Sequence, residues 1–322
     1  MKTDTLREII ACLPTGRTLF SYYKDRYAVQ LLEYVVPREP RIQRLRKSPH
    51  AKLLCRPPVR PILSDCGSGC LNLDDFLYVQ SSDVQHYRLT LGTWGRESFS
   101  GWRRSNFQTT RRGCNLVLQL NFSGLHDAYY NKLIGADLRC PFANYRHPVQ
   151  RSRWHTMSWA RLDLDLETGE ALVEEIQTDW LRRSANVLKR ARRLAYGPGG
   201  ARPMARMRLS GKRRRALDVC RYVEDAVKPH TRIWDEATLS ATIWFLKEEL
   251  GLHQIYMHEH RTGLALKSVT HGAPPRSLYT RLPQQFCFEK VGRGPEFLMR
   301  KNTGRLQRRA GGGPLAFWRL NV

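Results

Sequence analysis

Residues 159–180, WARLDLDLETGEALVEEIQTDW, constrain the fold of this chain more than any other stretch. Three leucines alternate with three acids between positions 162 and 167, and this period of two is typical of a strand with one buried and one polar face. The ETGE segment supplies a short turn in which Gly169 can adopt a positive φ, and ALVEEIQ is apolar enough to return as the partner strand. The pattern predicts a β-hairpin that carries a dense group of carboxylates.

The pairing register of this hairpin decides whether its acids form a site. A loop of two or four residues places Asp163 opposite Glu174, and like charges facing each other across a ladder are destabilising unless a cation, a metal or a shared proton intervenes. A loop of three residues breaks that pairing. Two interpretations follow: a solvated strand face held by nearby arginines, or a functional site.

The carboxylates stand out because the chain as a whole is strongly basic. Its 322 residues include 54 Lys or Arg against 29 Asp or Glu, a formal net charge of +25. Such an excess indicates a polyanionic partner, since phosphate backbones release counterions when basic side chains neutralise them. We expect nucleic acid, either DNA or RNA; acidic lipid and an acidic protein are the alternatives.

The sequence predicts no membrane partner and a cytoplasmic location. No run of 18 apolar residues occurs, and the N-terminal segment lacks the uninterrupted apolar core of a secretory signal. Eight cysteines are scattered through a chain too long and too apolar to need a disulfide framework, so most should be buried thiols. CGSGC at Cys66–Cys70, with His50 and Cys55 upstream, and the two histidines of MHEH, His258 and His260, are the alternatives that would suit a metal, but we expect no resident metal site there.

Strand, turn and helix signals together predict an α+β fold with a mixed, mostly antiparallel sheet and flanking helices. We divide the chain into an N-terminal helix and basic extended segment (1–62), a β-containing part of the sheet domain (63–150) and a part with closing strands (151–322) that carries a basic helical insertion (181–230). Strands are expected at DFLYVQ, YRLTLGT, CNLVLQLNFS, FCFEKV, EFLMRK and LAFWRLNV. WDEATLSATIWFLKEEL, capped by Gly251, gives the clearest helical signal.

Positive charge concentrates directly after the hairpin. Residues 181–215 contain thirteen Arg or Lys and no acid, and apolar spacings of three and four predict an amphipathic basic helix there. The loop WGRESFSGWRRSNFQTTRRG interleaves aromatic rings with arginines, which suits base stacking with phosphate contacts; the alternative is that the rings anchor the loop to the core. The predicted nucleic-acid contacts are Arg103, Arg104, Arg111, Arg112, Arg182, Arg183, Lys189, Arg190, Arg192, Arg193, Arg213 and Arg214.

The order of hairpin, helices, strand, short helix and closing strands resembles that of the GNAT acyltransferases. WDEATLSATIWFLKEELGLHQIYMHE looks like the third helix and fifth strand of that fold, and RSLYTRLPQQFCF resembles its fourth helix and the turn into its sixth strand. The resemblance covers roughly residues 155–322 and implies acetyl-CoA or another acyl-CoA as donor. It implies Tyr279 as the acid that protonates the departing thiolate, and Glu174 or Glu175 as the base.

The coenzyme loop departs from the GNAT pattern. The family binds the coenzyme pyrophosphate through a Gln/Arg-x-x-Gly-x-Gly/Ala turn directly after its fourth strand, at a helix N-terminus. The corresponding place here reads QTDWLRRSANVLKR and contains no glycine. The resemblance therefore implies that YGPGGARP or the arginines hold the coenzyme instead.

A second resemblance concerns EEIQTDW. This segment is similar to the Glu-Ile-Gln-Ser-Asp-Trp motif of segments in large polyvalent proteins of phages and conjugative elements, which also carry a helix opened by Trp, here Trp234, and a Tyr followed by Leu-Pro, here Tyr279, Leu282 and Pro283. It implies a bacterial or phage origin. It implies no particular activity.

The rival chemistry is metal-dependent cleavage of nucleic acid. In PD-(D/E)XK nucleases an Asp on one strand and Glu-x-Lys on the next hold a divalent metal that activates water. RLDLDLETGEALVEEIQ is similar, with Asp163 or Asp165 and Glu175 as metal ligands and Gln177 in the place of the lysine.

Taken together, the residues and resemblances predict a GNAT-related protein that acts on or binds nucleic acid, with acyl transfer as the activity implied. A metal-dependent nuclease and a non-catalytic nucleic-acid-binding protein are the alternatives. The candidate catalytic residues are Asp163, Glu174, Glu175, Gln177 and Tyr279.

Overall fold

An eight-stranded sheet runs through the protein, in the order β1-β2-β3-β4-β5-β8-β10-β9. The computed structural model describes residues 1–13, 18–79, 81–95, 108–135, 140–150, 154–198, 200–269, 272–300 and 303–322. The strands of the sheet are β1 (Thr18–Tyr22), β2 (Gln85–Gly95), β3 (Cys114–Asn121), β4 (Thr156–Asp165), β5 (Glu170–Gln177), β8 (Gln254–His258), β9 (Glu289–Val291) and β10 (Phe317–Asn321). A separate hairpin consists of β6 (Arg206–Leu209) and β7 (Lys212–Arg215). The predicted α+β class, with a mixed and mostly antiparallel sheet between helices, is confirmed.

The helices lie between and around these strands. Their bounds are α1 (Thr3–Cys12), α2 (Arg26–Val35), α3 (Ile42–Arg46), α4 (Ala51–Leu54), α5 (Arg60–Asp65), α6 (Gly124–Leu133), α7 (Trp180–Ala195), α8 (Ala216–Tyr222), α9 (Lys228–Thr231), α10 (Trp234–Trp244), α11 (His260–Leu266), α12 (Arg281–Gln285), α13 (Glu296–Met299) and α14 (Thr303–Arg309). Single turns of other helical types cover Leu73–Phe76, Val223–Val227, Phe245–Glu249 and Arg276–Tyr279. None of the described helices is long and apolar enough to cross a membrane.

The two faces of the sheet are covered differently. On one face, α10 packs on β4 and β5 while α2 packs on α10, and this layer forms the main hydrophobic core. Residues 236–243 of α10 are all buried, because the helix has neighbours on every side. On the other face, Leu172 and Phe317 pack in a smaller cluster with residues of α11, α13 and α14.

The hairpin of β4 and β5 turns through residues 166–169, with Asp165 paired to Glu170. This register places Asp163 opposite Leu172, so of the registers that the sequence left open, the one with Asp163 opposite Glu174 does not occur. The reason is the position of the loop, which has four residues but begins one residue earlier than that register requires. Pairing slips between Arg161 and the next residue, which leaves Glu174 as the extra residue of a β-bulge.

One strand pair in the sheet is parallel, and it pairs over part of its length only. β5 and β8 are paired from Glu170 and Gln254 to Val173 and Met257. Beyond these four pairs β5 continues to Gln177, without a partner on the β8 side among the described strands. The carboxyl ends of two parallel strands therefore separate immediately after Val173.

Three other sequence predictions differ from the structure. Residues 37–62 form short helices instead of an extended segment, because Ile42, Leu45 and Leu53 are buried on their inner sides and Pro61 occupies the first turn of α5. DFLYVQ contains the end of a single helical turn, and EFLMRK contains α13.

Candidate active site at the carboxyl ends of two parallel strands

Glu174 lies at the bulge of β5, where the parallel pair ends, and its side chain is fully buried. The backbone N–H of Thr110 donates to Oε1 (3.0 Å), and the hydroxyl of the same residue donates to Oε2 (2.8 Å). His258, the last residue of β8, places Nε2 3.2 Å from Oε2. Both carboxylate oxygens of Glu174 are thus hydrogen-bonded to buried groups of the protein.

The ionisation of this group follows from its partners. Burial alone would raise the pKa of the Glu174 carboxyl, but the hydrogen bond from His258 and the positive charges nearby lower it to about 2. Burial lowers the pKa of His258, so its ring is neutral at pH 7 and can donate through Nε2. Its Nδ1 is buried, and no hydrogen-bond partner reaches it from the described residues.

Lys267 reaches the same place from the end of α11. It is buried, and its ammonium donates to the backbone oxygen of Glu174 (2.7 Å) and lies 5.4 Å from the centre of the Tyr279 ring. Burial lowers the pKa of Lys267, and the carboxylate of Glu175 opposes that shift. A lysine whose charge is destabilised by burial depends on these carboxylates to remain protonated.

Tyr279 faces these charges from the short helical turn before α12. It is 3% exposed, and its hydroxyl has no hydrogen-bond partner among the described residues. Burial raises the pKa of Tyr279 well above its ordinary value, and the charge of Glu175 adds to the shift. The phenol therefore keeps its proton at neutral pH and is available as a donor.

Glu175 is paired across the hairpin with Arg161, and the guanidinium of Arg161 donates to its carboxylate. Burial would raise the pKa of Glu175, but the charge and hydrogen bond of Arg161 lower it, so the carboxylate is ionised. We call Arg161, Glu174, Glu175, His258 and Lys267 the buried charge cluster. It contains two cations, two anions and one neutral imidazole, and its net charge is zero.

A cleft of about 710 Å³ opens beside this cluster, along the unpaired end of β5. Glu175 is the cluster member that lines it, whereas Glu174 does not. The walls come from the end of β5, the first turn of α7, the loop around residue 144 and the segment before α12: Gln108, Asn144, His147, Glu175, Ile176, Gln177, Thr178, Leu181, Arg182, Trp234, Gly272, Ala273, Pro274, Pro275 and Leu278.

His147 and Asp179 form a dyad in the wall of the cleft that sequence reasoning missed. His147 Nδ1 lies 2.6 Å from the Asp179 carboxylate, which also accepts hydrogen bonds from Arg182 (2.8 Å) and Gln177 (3.2 Å). Asp179 is 3% exposed, while the His147 side chain is one quarter exposed. This carboxylate orients the ring so that Nδ1 carries the proton and Nε2 is the basic nitrogen.

The predicted metal ligands of the nuclease alternative are not brought together. Asp163 is buried and accepts two hydrogen bonds from Arg111 (2.6 and 2.9 Å) and one from the Met1 ammonium (2.7 Å). The Glu175 carboxylate accepts a hydrogen bond from Arg161, and the Asp165 carboxylate accepts one from the backbone N–H of Thr168 in the hairpin turn. Among the described residues, the one arrangement of His, Cys, Asp and Glu compact enough for a metal lies elsewhere, at His126, Asp127 and His155.

Some of the side chains predicted to contact nucleic acid already bind other groups of the protein, and we call these committed; others are exposed. Arg103 and Arg104 lie outside the described residues. Arg111 is bound to Asp163, Arg183 donates to the oxygen of Ala143, Arg192 pairs with Glu224, and Arg214 is half-buried. The remaining six, Arg112, Arg182, Lys189, Arg190, Arg193 and Arg213, are exposed, and of these six Arg182 alone has a carboxylate within 4.0 Å in the part of the chain that the structure describes.

The β6–β7 hairpin adds arginines to those of α7, which it contacts. Met207 and Leu209 are buried, so the alternate residues face outward. On that outward face Arg206 is opposite Arg215 and Arg208 is opposite Arg213. We call this face, together with Lys189, Arg190 and Arg193 of α7, the basic surface.

Comparison of the chain with protein-family models, with curated proteins and with solved structures finds no match. Its chemistry must therefore be judged from the site itself. The site offers an imidazole base at His147, in the wall of an open cleft beside the first turn of a helix, and a protonated phenol at Tyr279, which is buried next to the cleft residue Leu278 and does not itself line the cleft.

Proposed function

We propose that the protein is a GNAT-related acyltransferase whose cleft takes an acyl-CoA donor. The observation that supports this most is the separation of the parallel strands β5 and β8 after four pairs, with the cleft opening at the carboxyl end of β5. In sheets with parallel strands, ligands bind at the carboxyl ends of the strands, where neighbouring connections leave a crevice. The free edge of β5 can also pair with extended amide groups of a ligand.

The strand order supports the same proposal. Antiparallel strands β2 to β5 are followed by α7 to α10, by the parallel strand β8, by α12 and by the closing strands, with β10 inserted between β8 and β9. This is the succession on which the resemblance to GNAT acyltransferases rests, and it places Tyr279 close to the end of β5.

The groups of the site suit one balanced transfer step. His147 Nε2 removes a proton from an amine or hydroxyl acceptor, which attacks the thioester carbonyl and forms the new acyl bond. The carbon–sulfur bond then breaks, and the departing thiolate takes the proton of the Tyr279 hydroxyl, the role that the resemblance implies, once the buried ring turns toward the cleft beside Leu278. Glu174 does not act as the base in this proposal, because both of its carboxylate oxygens already accept hydrogen bonds within the protein, and the Glu175 carboxylate is held by the guanidinium of Arg161.

Because the segment after β5 has no glycine turn, the phosphates of the coenzyme must be bound by other groups. The N-cap residue of α7 is Asp179, whose charge opposes an anion at the helix N-terminus. Arg182 offsets it, because its guanidinium is exposed, lines the cleft and donates to Asp179. We therefore assign phosphate contact to Arg182.

Thermal unfolding with acetyl-CoA tests the proposal. Saturating acetyl-CoA should raise the melting temperature of the full chain, since a ligand that binds the native state stabilises it. Ala273→Trp, at the exposed rim of the cleft, should abolish the rise, while Ala201→Trp, exposed outside the cleft, should retain it. An unchanged melting temperature of the wild type at saturating ligand would contradict the proposal.

The catalytic assignments have their own test. Tyr279→Phe and His147→Gln should each leave the acetyl-CoA shift in place and reduce the release of CoA thiol in the presence of amine, hydroxyl and nucleic-acid acceptors. A residue that serves general acid or base catalysis contributes roughly 10²- to 10⁴-fold to the rate. Thiol release unaffected by both substitutions would exclude this arrangement.

A second candidate function, nucleic-acid binding, is supported by the basic surface. Like charges directly opposite each other in a ladder are destabilising, and no carboxylate lies within 4.0 Å of Arg208 or Arg213 in the described part of the chain. A bound polyanion would relieve this repulsion. The committed arginines, Arg111 and Arg183 among them, are not part of this proposal.

Salt dependence of nucleic-acid binding tests this second function. Replacing Lys189, Arg190 and Arg193 together by Ala should weaken binding to labelled DNA and RNA and flatten the dependence on salt, by roughly one unit of slope for each phosphate that no longer meets a cation. The matched control replaces three exposed cations outside this surface, Lys290, Arg305 and Arg308. Equally weakened binding in the two triple variants would reject a localised surface.

A further inference from the structure

His126, Asp127 and His155 come together at the start of α6 and the start of β4, outside the candidate active site. His126 Nδ1 lies 3.0 Å from Asp127 Oδ1, and His155 Nδ1 lies 2.8 Å from the same oxygen. One ligand atom from each residue lies within 4.8 Å of the other two. Three ligating groups thus converge on one point although they come from two elements.

We propose that these three side chains form a binding site for a divalent transition-metal ion of the zinc type. Two imidazole nitrogens and one carboxylate oxygen are a common set of protein ligands for such ions, with a water molecule in the fourth position. The ligand atoms already surround one point, and small side-chain rotations bring them to the roughly 2.0–2.2 Å that zinc requires. The proposal is independent of the proposed acyl transfer.

The hydrogen bonds around His126 support the role of Nδ1 as a ligand. Trp180 Nε1 donates to the Tyr222 hydroxyl (2.9 Å), which lies 3.0 Å from His126 Nε2. When an ion replaces the proton on Nδ1, the proton of the neutral ring moves to Nε2, where the Tyr222 oxygen accepts it. Metal-binding histidines are usually fixed in this way by a partner on the other ring nitrogen.

Packing holds the His126 ring in place. It stacks on Phe122, with ring centres 3.7 Å apart and planes 10° from parallel, and its side chain is 4% exposed. A fixed first ligand lowers the entropic cost of binding an ion. The second carboxylate oxygen of Asp127 is buried and receives no hydrogen bond from the described residues, so the carboxylate can turn without breaking a contact on that side.

Access to the site comes through His155. Its side chain is 26% exposed, while that of Asp127 is 14% exposed. The ion can therefore enter from solvent, and a water molecule can occupy the fourth position. Bound there, the ion would tie α6 to the beginning of β4, next to the Trp180 that opens α7.

Titration of the metal-stripped full chain with Zn²⁺ and Co²⁺ tests the site. We expect one equivalent of each ion to bind, to raise the melting temperature, and to give a Co²⁺ absorption spectrum without the charge-transfer band of thiolate ligands. His155→Gln, a change at the most exposed ligand, should abolish the binding. His253→Gln, at an exposed histidine elsewhere, should leave it unchanged.

Two outcomes overturn the proposal. One is a wild-type chain that binds no equivalent of Zn²⁺ or Co²⁺. The other is binding that persists in His155→Gln and in Asp127→Asn, or that shows thiolate charge transfer, since other side chains then hold the ion. Circular dichroism of each variant without metal separates loss of ligands from loss of fold.

Discussion

The buried charge cluster and the basic surface differ in how far their charges are compensated by groups of the same chain. In the cluster, every charge has an opposite charge nearby or hydrogen bonds from its own chain, as with Glu174 between Thr110 and His258. On the basic surface, Arg208 faces Arg213 across a ladder, and Lys189 and Arg190 have no carboxylate within 4.0 Å among the described residues. The two regions follow each other directly along the chain, at the end of β5 and in α7.

Solvent explains the difference. A buried charge costs several kcal/mol unless a partner compensates it, so the fold itself must supply the partner. An exposed charge is stabilised by water, so the fold need not compensate it, and a partner molecule can. Compensated charges therefore identify what the fold requires, and uncompensated charges indicate what the protein can bind.

The largest expected effect comes from breaking one ion pair in the buried charge cluster. Arg161→Met leaves the Glu175 carboxylate, whose side chain is only 14% exposed, without its cation and should reduce the free energy of unfolding by about 3 kcal/mol. Arg190→Met, on the basic surface, should change it by less than about 0.5 kcal/mol. Chemical denaturation of both variants measures the contrast.

A double variant tests whether the unpaired charge itself causes the loss of stability. Arg161→Met with Glu175→Met removes both charges, and a buried pair replaced by apolar side chains is often close to neutral in stability. The double variant should therefore be more stable than Arg161→Met alone. If Arg161→Met and Arg190→Met are destabilised equally, the distinction between the two regions fails.

Acid should weaken the cluster through Glu174. Its pKa of about 2 in the folded chain lies below the ordinary 4.5, so its ionised form stabilises the fold above pH 4.5 and this contribution disappears as pH falls toward 2. The contribution is on the order of 3 kcal/mol. Glu174→Gln should therefore be less stable than the wild type at pH 7, and the difference should shrink by more than half by pH 2.5, as urea denaturation at each pH would show. A constant difference across that range would contradict the assignment.

Packing around His258 makes a smaller contribution. A Cβ at Gly263 would lie 2.9 Å from His258 Cβ and 3.3 Å from its Cγ, and the ring cannot retreat because Glu174 and Thr110 hold it. Gly263→Ala should cost about 1–3 kcal/mol. Gly304→Ala in α14, where a Cβ meets nothing within 4 Å, should instead stabilise by up to about 1 kcal/mol. Equal melting temperatures for the two variants would mean that His258 is free to move.

Local patterns predicted much of the fold correctly. The hairpin, the basic helix α7 and the helix α10 all follow from periodicity and turn residues, and the structure confirms them. Residues 37–62 were misjudged because prolines and arginines suggested an extended chain. Ile42 and Leu45, at a spacing of three, were the apolar signal of a helix there.

The site was only partly accessible from the sequence. Glu175 and Tyr279 were candidates, because a hairpin and a resemblance pointed to them. His147 and Lys267 were not, since each meets its partner only through the fold: His147 bonds to Asp179, 32 residues away, and Lys267 bonds to Glu174, 93 residues away. The hairpin register was also undetermined, because several loops of similar length fit ETGE.

The smallest expected effect is a gain in the stability of the free protein when one arginine of the basic surface is replaced. Arg208→Glu places a carboxylate opposite Arg213 and replaces repulsion by attraction, which should stabilise the free protein by roughly 0.2–1 kcal/mol at low salt. The same change should weaken nucleic-acid binding. Arg308→Glu in α14 alters the net charge equally and should do neither. If the basic surface is a polyanion site, Arg208→Glu should increase the stability of the free protein and weaken its binding to nucleic acid. A loss of both stability and binding would refute the assignment of a polyanion site.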